Sequence, residues 1–232
     1  MWPFHKKRPL PDRGIFRGFT DWHSHILPGV DDGVQTMQEA LETLAVYEGI
    51  GVEAVWLTPH VMEDVPNTTT RLKERFEELK ATYKGGIGLH LAAEYMLDNL
   101  FRKRLADGDL FPLGVRNDML LVETSYFNPP VNLYDLLIQV KAKGFYPILA
   151  HPERYTYMGQ KDYRCLKDMG VRFQLNLFSL TGLYGKEAQR KAEWLSKKGY
   201  YDLVGTDTHG KKMLRTYFDM IPYEAKQTEI WQ

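Results

Sequence analysis

The stretch Asp21-Trp22-His23-Ser24-His25-Ile26-Leu27-Pro28-Gly29-Val30-Asp31-Asp32-Gly33 holds residue types that could do chemistry at close spacing. Preceded by Phe19, it reads as a strand running into a loop. Alternate side chains of a strand share a face, so Asp21, His23 and His25 point one way and Trp22, Ser24 and Ile26 the other. Two imidazoles about 6.6 Å apart along the backbone make a candidate metal pair. The Pro-Gly turn and the Asp-Asp loop beyond them can add carboxylate oxygen. An isolated His-x-His says little, so the case rests on the remainder of the chain.

The same residue types recur at the ends of other apolar runs. His60 follows Val52–Thr58 and Pro59, Glu94 closes Ile87–Ala93, and Glu123 closes Met119–Val122. His151-Pro152-Glu153-Arg154 follows Tyr146–Ala150, Asn176 ends Val171–Leu175, and Asp207-Thr208-His209 follows Leu203–Thr206. Five of the seven histidines thus fall at or just after strand ends, which packing histidines have no reason to do. His90 is the control: four residues before Glu94, it lies roughly 13 Å down the strand and is expected to be structural. The candidate ligands are His23, His25, a carboxylate of the Asp31-Asp32 loop, His60, Glu94, Glu123, His151, Asp207 and His209. Histidines mixed with carboxylates, and no cysteine among them, favour Mn²⁺, Fe²⁺ or Zn²⁺ at a catalytic site. These side chains exceed what one ion can use, so several ions bridged by a carboxylate are expected. Such clusters lower the pKa of bound water and clamp the oxygens of an in-line phosphoryl displacement, which makes phosphate ester hydrolysis the leading reaction class.

Helices must connect these strands. Thr36-Met37-Gln38-Glu39 is a capping box, and Met37, Ala40, Leu41, Leu44 and Ala45 recur at helical spacing to about Gly49. A second helix follows the turn at Asn67–Thr70 and is stopped by Gly85-Gly86. A third spans Met96–Leu105, a fourth is capped by Asn132 and followed by Gly144, a fifth covers Tyr163–Met169, and a sixth covers Glu187–Lys198 before Gly199. Residues 210–232 read as a polar covering tail. Seven apolar strands alternating with helices demand a parallel sheet with right-handed crossovers. In a β/α barrel all strand ends share one rim, where active sites are built. An open doubly wound sheet would not gather the seven ends so readily. The expected fold is a single α/β barrel domain over residues 19–232 after an arm at residues 1–18, with His5 belonging to the arm.

Composition narrows the partners. The chain has 232 residues with 44% hydrophobic and 26% charged, enough for one large core. Thirty basic and thirty acidic residues give a formal net charge of zero, so no global field attracts nucleic acid or an anionic membrane. The basic start at Met1–Pro9 lacks a following apolar run, and no run approaches the ~20 apolar residues of a membrane span. Cys165 is the single cysteine, which excludes disulfides within the chain and fits a reducing, cytoplasmic setting.

His23-x-His25, His60, Glu94, Glu123, His151 and Asp207-x-His209 resemble the motifs of the PHP (polymerase and histidinol phosphatase) superfamily, whose fold is a distorted (β/α)7 barrel. The motif Asp21–Gly33, with His151-Pro152-Glu153-Arg154-Tyr155, closely resembles the CpsB/YwqE branch of bacterial protein-tyrosine phosphatases. The resemblance spans about residues 19 to 210. It implies three divalent ions, Mn²⁺ first among the candidates. His23, His25, Glu94 and Asp207 would hold one, Glu94, Glu123 and His151 a second, and Asp32, His60 and His209 a third. Glu94, Asp207 and Arg154 would be the catalytic residues, with the Arg154 fork clamping phosphate. An alternative for Arg154 is a salt bridge to Glu153 or another rim acid. The branch also uses an arginine a few residues past the last metal histidine; here Arg215, after Lys211 and Lys212, departs from that spacing. Asn176 would line the substrate pocket, Asp21 would orient a ligand histidine, and Asp31 would shape the turn. The implied substrate is the tyrosine-rich tail of a bacterial tyrosine kinase that controls capsule or exopolysaccharide export, and the branch suggests homo-oligomers.

Tyr126, Phe127 and Tyr155 could stack a phosphotyrosine ring, although ordinary packing explains them equally well. A cysteine phosphatase needs Cys-x5-Arg, but Val171 stands at the sixth position after Cys165 and Arg172 is one place too late. Cys165 is therefore expected to pack within its helix. The rival readings are a small-molecule phosphatase of the histidinol-phosphate type, a metal-dependent nuclease, disfavoured because no basic stripe tracks a backbone, and a non-catalytic metal-bound scaffold for the kinase.

Overall fold

The structure, a computed structural model, describes residues 16–220. In chain order the elements are β1 (Phe19–Ser24), α1 (Met37–Ile50), β2 (Val52–Leu57), β3 (His60–Val61), α2 (Thr69–Thr82), β4 (Gly88–Leu91), β5 (Glu94–Met96) and α3 (Asn99–Asp107). They continue with β6 (Met119–Glu123), α4 (Leu133–Ala142), β7 (Tyr146–Ala150), α5 (Gln160–Asp168), β8 (Arg172–Asn176), α6 (Gly185–Lys197), β9 (Leu203–Gly205) and α7 (Lys211–Met220). Every paired strand is parallel, as alternation with helices requires.

Seven strand positions are present, but the second and third are each split. β1-β2-β4 form one ladder and β3-β5-β6-β7-β8-β9 the other. Pro59 cannot donate to a ladder, so β2 ends before it and resumes as β3. Its neighbour breaks at Ala92-Ala93 in step: Leu57 faces Leu91 below the break and His60 faces Glu94 above it, an offset of 34 in both cases. Backbone bonds from Ala92 to Leu57 (2.9 Å) and from Glu94 to Pro59 (3.1 Å) carry the two strands across the gap together. Glu94 therefore opens a strand segment rather than closing one.

The sheet curls until its first strand meets the chain beyond its last. Asp207 N–H donates to the His23 carbonyl at 2.8 Å and His25 N–H to the Thr208 carbonyl at 2.9 Å. Fully buried Asp21 reinforces this seam by accepting from the Thr206 N–H (2.8 Å), the Thr206 hydroxyl (2.7 Å) and the Tyr47 hydroxyl (2.5 Å). Both faces of the sheet are covered. Leu120, Val122 and Leu149 pack in the large cluster under the helices, while Leu121, Ile148 and Ala150 join Trp56 and Met119 in a smaller one on the other face.

Several boundaries differ from expectation. α3 begins at Asn99 rather than Met96 because the Asp98 carboxylate caps it through the Phe101 N–H. α2 stops at Thr82, before Gly85-Gly86, and the Asn132 side chain makes no cap bond to α4. Residues 211–220 form a helix, not an irregular tail: Leu214, Tyr217 and Phe218 are buried, with Phe218 against Phe16 and Tyr217 against Phe178. Phe16 and Gly18 of the expected arm also pack on the fold, Gly18 bonding to the Gly51 carbonyl. Residues 1–15, including His5, and residues 221–232 lie outside the described part. Cys165 is on α5 as expected but exposed, so it is not a packing residue. Among the described residues, no helix is long and apolar enough to cross a membrane.

Candidate metal centre

Strand ends, the breaks that open β3 and β5 at His60 and Glu94, and the loops beyond β1 and β9 bring all nine expected ligands to one place. His23 and His25 face each other with their Nε2 atoms 3.1 Å apart. Glu94 Oε2 lies 3.2 Å from His23 Nε2, 3.4 Å from His25 Nε2 and 3.1 Å from His60 Nδ1, and Glu94 Oε1 lies 3.0 Å from His151 Nε2. Asp207 Oδ1 is 3.4 Å from His23 Nε2 and 3.1 Å from His25 Nε2, while Glu123 Oε1 is 3.0 Å from His60 Nδ1. On the outer side, Asp32 Oδ1 lies 3.6 Å from His60 Nε2 and 3.4 Å from His209 Nε2. Asp32 is 71% exposed and His209 28%, against zero for His23, His25 and Glu94, so the cluster opens at this edge.

The Nδ1 atoms of three of the histidines, facing away from the cluster, are taken. His23 Nδ1 meets Gln174 Oε1 at 2.9 Å, His25 Nδ1 meets Asp31 Oδ2 at 2.8 Å, and His209 Nδ1 meets the Asp207 carbonyl at 2.9 Å. An acceptor on Nδ1 keeps the proton there and turns the Nε2 lone pair inward, the arrangement of a metal-ligating imidazole. Inside the cluster, His60 Nδ1, Glu94 Oε2 and Glu123 Oε1 are buried without a hydrogen bond, as is His151 Nδ1 on the far side of its ring from Glu94. Short contacts without hydrogen-bond geometry, repeated around one carboxylate oxygen, leave charge unsatisfied in a site closed to water. Divalent cations answer that demand, and the oxygen and nitrogen donors suit Mn²⁺, Fe²⁺ or Zn²⁺.

Four groups of donors are close enough to share an ion: His25/Asp32/His60/His209, His23/His25/Asp207, His23/Glu94/His151 and His60/Glu94/Glu123. Their union is the nine expected residues. Glu94 belongs to two groups, as a bridging carboxylate must. The partition differs in detail from the expected one: His25 also reaches the outer group, and the donors expected around the second ion divide into two sets that share Glu94.

Electrostatics follow from this crowding. Burial would raise the Glu94 carboxyl, but His23, His60 and the bond from His151 hold it well below the usual range. Asp207 is likewise pulled down against burial by His23, His25 and Arg154. Burial and then Arg154 lower His151 to about 4, which keeps that imidazole neutral. The neighbouring acids raise His60 to about 10 against burial and the His25 charge. His151 (φ 35) and Asp207 (φ 52) occupy the left-handed region that side chains avoid, a strain tolerated where function fixes the geometry. Gly33 and Gly205 permit the close approach: a Cβ at Gly33 would overlap His25, and one at Gly205 would overlap His23.

Around this core, Arg154 donates from Nη1 to Asp207 Oδ2 at 2.6 Å, so its ion pair is with a rim acid and not with Glu153. Glu153 is buried and accepts instead from Asn176 N–H, the Ser179 hydroxyl and the Tyr201 hydroxyl. Asn176 is fully buried rather than pocket-lining; its amide donates to Asp207 Oδ2 at 3.1 Å. Asp21 touches His23 only through the backbone N–H, so it holds the seam and orients no imidazole. Asp31 shapes the turn through the Gly33 N–H and also anchors His25. Arg215 is exposed on α7, and its charge acts on Glu42 of α1. Tyr155 is fully buried and closed to a substrate ring, while Phe127 is exposed. His90 stacks on Trp56, as a structural histidine.

Sequence reasoning missed Gln174 and Tyr184. Gln174 shares strand parity with Asn176, a usable signal. Tyr184 reaches the site only through tertiary folding.

Comparison with known proteins places this geometry in context. Residues 19–218 match the family model described as capsular polysaccharide synthesis, CpsB/CapC. The chain is 28% identical over 198 residues to tyrosine-protein phosphatase YwqE of Bacillus subtilis, covering 83% of this chain and 78% of that protein. It is 27% identical over 202 residues to tyrosine-protein phosphatase CpsB of Streptococcus pneumoniae, covering 82% of each. A crystal structure from work on YwqE and CpsB, described as metal-dependent tyrosine phosphatases, superposes with a TM-score of 0.75 at 26% identity, covering 84% of this chain and 81% of that one.

Proposed function

The chain belongs to the CpsB/CapC family of capsular polysaccharide synthesis proteins, and from that membership and the donor cluster we propose a metal-dependent protein-tyrosine phosphatase. The observation that carries the reading is the set of unsatisfied buried donors converging on Glu94 at the rim of a curled parallel sheet. The curled sheet is read as a distorted (β/α)7 barrel of the PHP type, forming one catalytic unit from about residue 19. His23, His25, Asp32, His60, Glu94, Glu123, His151, Asp207 and His209 would hold three divalent ions, Mn²⁺ first among them. Bound there, the ions would supply positive charge to the phosphoryl oxygens and acidify water for attack at phosphorus.

The chain's own residues supply the remaining work. Arg154 offers a planar donor fork to phosphoryl oxygens. Asp207, held by Asn176, keeps Arg154 beside the cluster. Glu94 joins two donor groups through its two oxygens. The leaving phenolate has a pKa near 10, so its departure needs no strong acid. The neutral composition is no obstacle, because the charge that draws phosphate is local. The natural substrate is read as the tyrosine-rich tail of a bacterial tyrosine kinase in capsule or exopolysaccharide synthesis, met in the cytoplasm, with a homo-oligomer as the assembly to look for.

The test is hydrolysis of a phosphotyrosine peptide by metal-stripped protein with and without added Mn²⁺, beside the His25→Ala and Cys165→Ser variants and with histidinol phosphate as a second substrate. Mn²⁺ should restore turnover of the peptide in preference to histidinol phosphate, His25→Ala should abolish it, and Cys165→Ser should retain it. Turnover that needs Cys165, or none with Mn²⁺ bound, would end the assignment.

A further inference from the structure

Arg154 is held on three sides. Its guanidinium carbon lies 4.5 Å from the Tyr126 ring centroid and 4.1 Å from that of Tyr184, and one nitrogen bonds Asp207. Tyr126 comes from the loop between β6 and α4, Arg154 from the turn after β7, and Tyr184 from the residue before α6. Three separate connections therefore meet to set one planar cation over two aromatic rings. The Thr156 N–H donates to the Tyr126 carbonyl at 2.8 Å, and the Asn176 amide donates to the Tyr184 hydroxyl at 3.3 Å. Both rings are half-buried.

We infer that Tyr126 and Tyr184 are positioning residues that clamp the Arg154 guanidinium with their ring faces, so that its remaining N–H edge is presented ready-made to phosphoryl oxygens. This rests on the reading of Arg154 as the phosphate-binding side chain. The physical argument is preorganisation. An arginine side chain carries large rotamer entropy, and a fork that must be ordered at binding loses part of its bidentate gain. Stacking on aromatic faces uses the cation's planes and leaves its in-plane donors for oxygen. With the Asp207 carboxylate on one nitrogen, the direction of the remaining donors is set as well. Partial burial of both rings removes water from the faces and strengthens the cation–π attraction. The ring, and not the hydroxyl, carries the effect, which separates this role from a hydrogen-bonding or acid–base one.

The experiment is calorimetric binding of inorganic phosphate to the Mn²⁺-loaded protein, which requires no turnover. Tyr184→Leu and Tyr126→Leu keep bulk and remove the π face; Tyr184→Phe and Tyr126→Phe keep it. Each Leu variant should weaken phosphate binding about tenfold, and each Phe variant should stay within about twofold. In an Arg154→Ala background the Leu substitutions should have no further effect. In the wild-type protein the Arg154 Nε–H signal should report a guanidinium as rigid as the backbone, a reading that needs no variant to fold. Leu variants that bind phosphate like wild type, or that weaken it equally without Arg154, or a freely reorienting wild-type guanidinium, overturn the clamp. An Arg154→Ala protein with unchanged phosphate affinity overturns the clamp and the phosphate role of Arg154 together, whereas loss in Arg154→Ala alone spares that role.

Discussion

At the scale of single residues, the members of the donor cluster were legible and their supports were not. His23, His25, His60, His151 and His209 announce themselves by falling at strand ends, because the residue type and the position are both unusual for packing. Gln174, Asp31 and Asn176 have residue types common in loops and strands, and only three-dimensional proximity shows what they hold. Asn176 illustrates the difference: its place at a strand end was visible, but its role in bracing Asp207 depends on a contact 31 residues away in sequence. Gln174→Ala tests the supporting role. Without an acceptor at Nδ1, His23 can take either tautomer and rotate, so Mn²⁺ affinity should fall about tenfold while the fold persists. Metal titration with circular dichroism of the apo protein checks both halves; an unchanged affinity would show that Gln174 merely fills space.

At the scale of elements, the deciding features are the split strands and the seam. Pro59 marked one break in the sequence, but nothing in Ala92-Ala93 marks the other. It follows from pairing: a parallel neighbour cannot keep its register across a gap unless it steps too, and the step sets His60 opposite Glu94. α7 is the converse case. Leu214, Tyr217 and Phe218 recur at helical spacing, so the signal was present among polar residues that suggested a tail. The seam itself depends on Gly205, where β9 lies against β1 too closely for a side chain. Gly205→Ala should cost about 1–3 kcal/mol, as overpacking does, and displace His23. The expected result is a lower urea midpoint together with weaker Mn²⁺ binding. A loss of stability with full metal affinity would show that the seam yields without moving the ligand.

At the scale of the whole molecule, five imidazoles and four carboxylates gathered at one rim would couple folding to metal under the proposed reading. The neutral total charge hides a site where acids hold protons on histidines: His23 and His25 are raised and His60 is pushed up to about 10, in each case against burial. A metal must expel those protons, so its binding weakens as pH falls. The sign is fixed by the shift: protons bound to the metal-free native protein favour that form over the loaded one at low pH. Binding to the folded state alone stabilises by RT ln(1 + [L]/Kd), about 2.7 kcal/mol at a hundredfold excess over Kd. For a chain of this length 1 kcal/mol moves the melting midpoint by about 2–4 °C. Mn²⁺ at that excess should therefore raise the midpoint by at least about 5 °C at pH 8. The same metal concentration should raise it less at pH 6, and the rise should shrink in Glu94→Gln, where the carboxylate shared by two of the four donor groups is neutral. Differential scanning calorimetry at the two pH values checks this. A midpoint indifferent to Mn²⁺ at pH 8 would mean that the strain visible in His151 and Asp207 is met within the protein, and that the crowded rim is stable on its own terms.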